Sequence, residues 1–318
     1  MSEFVEIPVL DIAPLTQGRD TTELACAFAK AYGETGFGYI VNHGIDPALR
    51  AQVFEACMRF HALPEGAKRA IALNENHRGY IAINTSTDVN SDLAEVTKPN
   101  QSASFMMMRE DAVADPNVYL SGPNQWPELA GFRSTCETYV EAMTELGRRL
   151  MSLALDALEV TDRSVLSAFD TPTTWLRLLH YPPRAPQSAS DLYGSAPHRD
   201  FGCLTLLAQD DVGGLQVQTP AGHWVDAPPM PDAFVVNVGD MLHRLSNGRL
   251  LSTPHRVINA SGRERYSVPF FFDPHVSAEI APLPGTGESR FTPLKFGDFL
   301  REELEVSYDA HKAGAENQ

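Results

Sequence analysis

The chain has 318 residues, enough for one large domain or two ordinary ones, and its 43% hydrophobic content suits a folded protein with a sizeable core. Its 41 acidic residues against 25 basic ones leave a net charge of -16, which repels phosphate backbones and argues against nucleic acid as a partner. No run approaches the roughly 18 apolar residues of a membrane span, and the opening MSEFVEIPVLDI lacks the basic and apolar regions of a secretory signal, so the expected setting is the cytoplasm. The cysteines, Cys26, Cys57, Cys136 and Cys203, form no CxxC pair and read as free thiols in a reducing compartment.

An opening strand is expected at residues 7–12, IPVLDI. Thr21 to Thr35 follows with Leu24, Phe28 and Tyr32 at four-residue spacing, the period of an amphipathic helix. GFGYIVNHG switches back to a strand closed by glycine, and Pro47 to Phe60 is helical again. Tyr139, Met143, Leu146, Leu150 and Leu153 lay an apolar stripe along a long helix from about 130 to 158. From about Trp175 the texture changes to short β-branched and aliphatic runs between Pro and Gly: WLRLLHY, CLTLLAQ, GGLQVQT, HWVDA, AFVVNVGDML, HRVINA and RYSVPFFF. These runs predict a β barrel or double sheet. With no repeat and no long linker, residues 1–318 read as a single domain: a helical region over 1–160, a β core over 173–275 and a C-terminal extension over 276–318, with the tail after about Tyr308 frayed.

One of these apolar runs, APHRDFGCLTLL at 196–207, carries a histidine and an aspartate two positions apart. Alternate residues of a strand share a face, so His198 and Asp200 are predicted to project together while Arg199 points away. His255, at the start of the strand in STPHRVINA, is the candidate third ligand. Two imidazoles and one carboxylate suit iron(II) and leave coordination positions open for substrate and oxygen. Arg265 and Ser267 in RERYSVPFFF again share a strand face, and a guanidinium fork beside a hydroxyl is a receptor for a carboxylate. An arginine inside an apolar barrel needs such a partner; a buried salt bridge to one of the chain's own acids is the structural alternative.

His198-x-Asp200, His255 and Arg265-x-Ser267, in this order, resemble the signature of the iron(II)- and 2-oxoglutarate-dependent dioxygenases of the isopenicillin N synthase-like family. IPVLDI, GFGYIVNHGI, LLHYPP at 178–183, LAQDDVGGLQV at 207–217 and VNVGDMLHRLSNG at 236–248 extend the likeness over roughly residues 5–275, although LLHY departs from the asparagine-tyrosine-tyrosine common in plant members.

The resemblance implies a mainly β fold with flanking helices, a distorted double-stranded β-helix (jelly-roll) buttressed by N-terminal helices. It implies that His198, Asp200 and His255 hold Fe(II), and that 2-oxoglutarate chelates the iron while Arg265 and Ser267, helped by Tyr181, hold its far carboxylate. It also implies an oxidoreductase that uses O2 to oxidise a small molecule by hydroxylation, desaturation or cyclisation, releasing succinate and CO2. Asp200 speaks against a halogenase, whose relatives replace that carboxylate with a small residue.

Arg177 has the strand parity of Tyr181, so it is a candidate contact for an anionic substrate or for the cosubstrate; a structural carboxylate is its alternative partner. By analogy with the family, HRGYIAINTST at 77–87 and ASFMMMRE at 103–110 would complete the pocket, with Tyr80, Phe105 and Met107 as apolar contacts and a plain core role as their alternative. Phe270, Phe271 and Phe272 read as barrel packing. His43, His61, His180, His223, His243, His275 and His311 read as non-ligands. The rival functions are an iron oxidase of the same fold that does not use 2-oxoglutarate, an ethylene-forming cleavage of 2-oxoglutarate, a non-catalytic barrel that binds a small anion, and a zinc hydrolase on the same three ligands.

Overall fold

The computed structural model describes residues 4–86, 93, 98–183 and 192–307. Strand β1 (Val9–Asp11) runs into a helical turn, α1 (Ala13–Thr16), with proline at its start, where a missing N–H leaves no bond unmade. Helix α2 (Thr22–Glu34) buries Leu24, Phe28 and Tyr32, the spacing read from the sequence. Gly36, at φ 69°, then lets the chain pass against the Leu251 carbonyl where a Cβ would collide, and β2 (Phe37–Val41) begins. Helix α3 (Pro47–His61) is capped by the Asp46 carboxylate, which accepts the Ala48 N–H at 2.8 Å. A short α4 (Glu65–Arg69), β3 (Gly79–Ile81) and β4 (Ala103–Met108) lead to the long α5 (Phe132–Ala157).

The second half is strand-rich, as its punctuation predicts: β5 (Thr173–Tyr181), β6 (Ser195–His198), β7 (Leu204–Gln209), β8 (Leu215–Gln218), β9 (Trp224–Asp226) and β10 (Phe234–Val238). After helix α6 (Asp240–Leu245) come β11 (His255–Val257) and β12 (Arg265–Asp273), then β13 (Glu279–Ile280), β14 (Leu294–Lys295) and the helix α7 (Phe296–Ser307). The tail from Tyr308 to Gln318, including His311, lies outside the described residues.

Eight strands form one sheet in the order β1-β2-β10-β7-β12-β5-β4-β3, and β6-β11-β8-β9 form a second. Strand parity divides the side chains between two cores. On β10, Phe234, Val236 and Val238 join the core beneath the helices, whereas Val235 joins a smaller cluster with Tyr39, Leu179, Tyr181, Val217 and Val257 between the sheets. This is the distorted jelly-roll, with α2, α3 and α5 laid against the outer face of the larger sheet. The stripe on α5 is buried there, each fully enclosed leucine contributing about 1.5–3 kcal/mol. Gly147 brings the helix so close that a Cβ would meet the Phe272 ring at 2.6 Å.

Three local expectations are corrected. APHRDFGCLTLL is two strands, not one: β6 ends at His198 and β7 starts at Leu204. The break is held by α6, whose first backbone N–H groups need acceptors outside the helix. Asp240 N–H donates to the Asp200 carbonyl at 2.8 Å and Met241 N–H to the Gly202 carbonyl at 2.9 Å. AFVVNVGDML accordingly divides as well, into β10 and α6. The N-terminal half, in addition, contributes β4 and, at the edge, β3 to the larger sheet.

Candidate active site

The site is assembled from adjacent strands. On β12, Arg265 and Ser267 face inward while Val268, Phe270 and Phe272 face the helix-side core. Tyr181 is the Cα partner of Arg265 across β5, and the guanidinium lies over its ring, 4.5 Å from the centroid. Arg265 is fully buried. Its partners are neutral: Nε donates to the Gly213 carbonyl at 2.5 Å, Nη2 to Gln209 Oε1 at 3.2 Å and Nη1 to Ser267 Oγ at 3.4 Å. Among the described residues no carboxylate neutralises it, so the buried salt bridge weighed from the sequence is absent and the charge stands ready for an incoming acid.

His198 and His255 are Cα partners across β6 and β11, with ring centroids 4.2 Å apart. The Nδ1 atoms of His198 and His255 lie 2.7 Å from the Ala196 carbonyl and 3.3 Å from the Thr253 carbonyl, which turns each Nε2 towards Asp200. Asp200 lies just beyond β6, outside the strand, yet it reaches the same point. One of its oxygens, Oδ2, accepts Thr205 Oγ1 at 2.5 Å and Asn237 Nδ2 at 2.7 Å. The other, Oδ1, faces His198 Nε2 at 3.8 Å and His255 Nε2 at 3.9 Å, too far for hydrogen bonds. These three ligand atoms all lie within 4.8 Å of one another and form the one such cluster among the described residues. Burial works against a charge on Asp200, but the two imidazoles and the two donors outweigh it and hold the carboxyl below its ordinary value. An ionised carboxylate and two imidazole nitrogens with their other sides occupied fit a divalent transition metal.

Beside this cluster is a cavity of about 100 Å³, lined by Arg177, Trp175, Met106, Phe271, Asp273 and the α7 leucines Leu300 and Leu304. Phe271, read from the sequence as barrel packing, packs against the core cluster and, with the parity of Arg265 on β12, also lines the cavity. Tyr80, Phe105 and Met107 are buried in the helix-side core and do not line this cavity, which Met106 reaches from β4. Thr87 of the 77–87 segment lies outside the described residues. Asn237, Thr205 and the two α7 leucines were not picked out from the sequence. The first two had a signal: Asn237 and Thr205 are polar residues inside otherwise apolar buried strands. A wider groove of about 440 Å³ between residues 114–121 and α7 lies apart from the His-Asp-His cluster.

Of the other histidines, His61 Nε2 lies 2.9 Å from the Leu178 carbonyl, His43 Nε2 3.1 Å from the Asp232 carbonyl, and His243 Nδ1 2.6 Å from the Leu250 carbonyl; His180 pairs with Glu264. The described cysteines are free, and Cys57, Cys136 and Cys203 are buried. No helix among the described residues is long and apolar enough to cross a membrane.

Known proteins resolve the class. Residues 172–274 match the 2OG-Fe(II) oxygenase superfamily, and residues 7–129 match the N-terminal region described as non-haem dioxygenase in morphine synthesis. The chain belongs to the 2OG-Fe(II) oxygenase superfamily and is an oxidoreductase that uses iron(II), 2-oxoglutarate and O2. It is 35% identical to the 2-oxoglutarate-Fe(II) type oxidoreductase hxnY of Emericella nidulans, over 96% of this chain and 91% of the relative. It is 37% identical to the 2-oxoglutarate-dependent dioxygenase citB of Monascus ruber, over 89% of each. The crystal structure of a full-length Neurospora crassa protein in complex with alpha-KG and thymine superposes with a TM-score of 0.86 at 29% identity, over 97% of this chain and 99% of that one.

Proposed function

We propose that His198, Asp200 and His255 hold the iron, that Arg265, Ser267 and Tyr181 receive the far carboxylate of 2-oxoglutarate, and that a small organic molecule is oxidised in the cavity beside them. The observation that carries this assignment is the convergence of Asp200 Oδ1 with two imidazole Nε2 atoms at distances that are not hydrogen bonds. When bound, iron and 2-oxoglutarate supply the activation of O2, and the 2-oxoglutarate is converted to succinate and CO2.

The chain's own residues do the placing. The Ala196 and Thr253 carbonyls hold the imidazole planes, Asn237 and Thr205 hold the carboxylate, and Arg265 offers charge and direction to a dianion. The apolar wall of Phe271, Leu300 and Leu304 keeps water from the reacting carbon. In this reading residues 173–275 carry the chemistry, residues 1–160 support them, residues 276–318 contribute the wall through α7, and the whole is one working unit. The small molecule carries negative charge where it meets Arg177. Free cysteines suit a reducing compartment, and we place the protein in the cytoplasm.

Anaerobic visible absorption of the purified protein is the test. A charge-transfer band that forms only when both iron(II) and 2-oxoglutarate are present supports the assignment, provided that His255→Ala loses it. A band that survives in His255→Ala, or none in wild type with iron bound, removes it.

A further inference from the structure

Arg177 is an unusual arginine for the interior of this fold. Its strand, β5, places Leu176 and Leu178 in the helix-side core and turns Trp175, Arg177 and Tyr181 to the other face. Its guanidinium makes one hydrogen bond, from Nη2 to Ser104 Oγ at 3.1 Å. Nε is buried with no partner, and among the described residues no carboxylate forms an ion pair with it. A half-buried guanidinium walled by Met106, Trp175 and Phe271 lacks the anion that would offset its desolvation. Asp273, in the same cavity, turns a carboxylate oxygen to the Cys203 N–H at 2.6 Å rather than to the guanidinium.

The far carboxylate of the cosubstrate is assigned elsewhere. Arg177 and Tyr181 are four residues apart on one strand, about 13 Å between backbone positions at roughly 3.3 Å per residue, and Arg265, the register partner of Tyr181, receives that carboxylate in the assignment above. Arg177 instead shares its cavity with His198 and Asp200, so the 2-oxoglutarate affinity of an Arg177 variant separates a substrate contact from a contact with the cosubstrate's near end. The remaining walls decide what else the anion carries. Phe271 and the α7 leucines Leu300 and Leu304 are apolar, the other arginine of the lining, Arg199, donates its Nε to the Ser252 carbonyl at 3.2 Å, and the space is small.

We infer that the substrate is a small organic monocarboxylate, bound with its carboxylate on Arg177 and its apolar body between Phe271 and α7. This rests on the iron and 2-oxoglutarate assignment above. The geometry makes Arg177 the residue that separates acids from neutral molecules of the same shape, because its planar fork matches a carboxylate bidentately and an amide only in part.

The experiment uses monocarboxylates from butyrate to phenylacetate and indole-3-acetate, each paired with its primary amide, with thymine as a neutral heterocycle. They are titrated anaerobically into protein carrying iron(II) and 2-oxoglutarate. Binding is read from the shift of the charge-transfer band and from the fluorescence of Trp175, with Trp175→Phe as the control for the chain's other tryptophans. At least one acid is expected to bind about tenfold or more tightly than its amide, a difference of about 1.4 kcal/mol. Arg177→Leu is expected to lose that preference while keeping the band and its 2-oxoglutarate affinity, which also shows that the variant is folded.

The inference is overturned if amides or thymine bind as well as the acids, if Arg177→Leu keeps the preference, or if no acid binds. Absence of the band in wild type is a different failure. It removes the metal assignment, and Trp175 fluorescence on the metal-free protein still reports whether Arg177 selects acids.

Discussion

Asn237 and Thr205 are Cα partners across β10 and β7, and both donate to the same oxygen of Asp200. One rung of the larger sheet thereby aims a carboxylate that belongs to the turn after the smaller sheet. Asn237→Ala leaves that oxygen with one donor and frees the carboxylate to rotate. Iron(II) affinity should fall about 10- to 100-fold, measured by competition with a chromogenic chelator. An unchanged affinity would show that Thr205 alone orients Asp200.

Among the described residues Arg265 meets only neutral partners, which in the proposed assignment leaves its charge for the far carboxylate of 2-oxoglutarate. Arg265→Leu should raise the KM for 2-oxoglutarate between about tenfold and a hundredfold, the scale of a charge-assisted hydrogen bond. Iron affinity should stay near wild type. A KM that does not move would place the cosubstrate's far end elsewhere.

Gly202 has an ordinary negative φ, so conformational freedom is not why it is glycine. A Cβ there would overlap the Asp273 carboxylate that accepts the Cys203 N–H. Gly202→Ala should destabilise the protein by about 1–3 kcal/mol through overpacking and weaken iron binding by moving the turn that carries Asp200. The urea midpoint and the chelator assay read the two effects separately, and an alanine variant of normal stability would contradict the close approach.

His61 is buried against the Leu178 carbonyl, and burial pushes its pKa down to about 3. The unfolded chain takes up that proton near pH 6.5, so between these values protonation favours unfolding. The neutral histidine's contribution is complete above about pH 6.5 and is lost as the pH falls towards 3. His61→Gln keeps an N–H donor for Leu178 and does not titrate. Between pH 7 and pH 5 the wild type should lose about 2 kcal/mol more than this variant. Parallel pH profiles in urea would show that His61 carries no such linkage.

Much of the site was legible before folding, because strand parity is a local property. Arg265 with Ser267, and Arg177 with Tyr181, had only to be counted off in twos to share a face, and the structure keeps both pairs on inward faces. The spaced apolar residues of α2 and α5 gave those helices for the same reason. His198, Asp200 and His255 were recognisable from type and order, since few other patterns place two imidazoles and a carboxylate around apolar strands. The same counting misled at Asp200. Parity put it on a strand with His198, whereas it reaches the cluster from a turn that α6 ties down through backbone hydrogen bonds.

What remained for the tertiary structure was whatever depends on non-local register. Strand β4 is buried along its whole length, so it shows no polar-apolar alternation, and only its pairing with β5, Met106 opposite Arg177, decides that Met106 rather than Phe105 or Met107 faces the cavity. Leu300 and Leu304 look like any amphipathic helix positions until α7 docks against the barrel mouth, far along the chain from the metal cluster. The sequence by itself determined the chemistry, because ligand type and strand parity are written residue by residue. Which side chains wall the cavity was decided by folding, because those contacts join segments whose meeting no local pattern encodes.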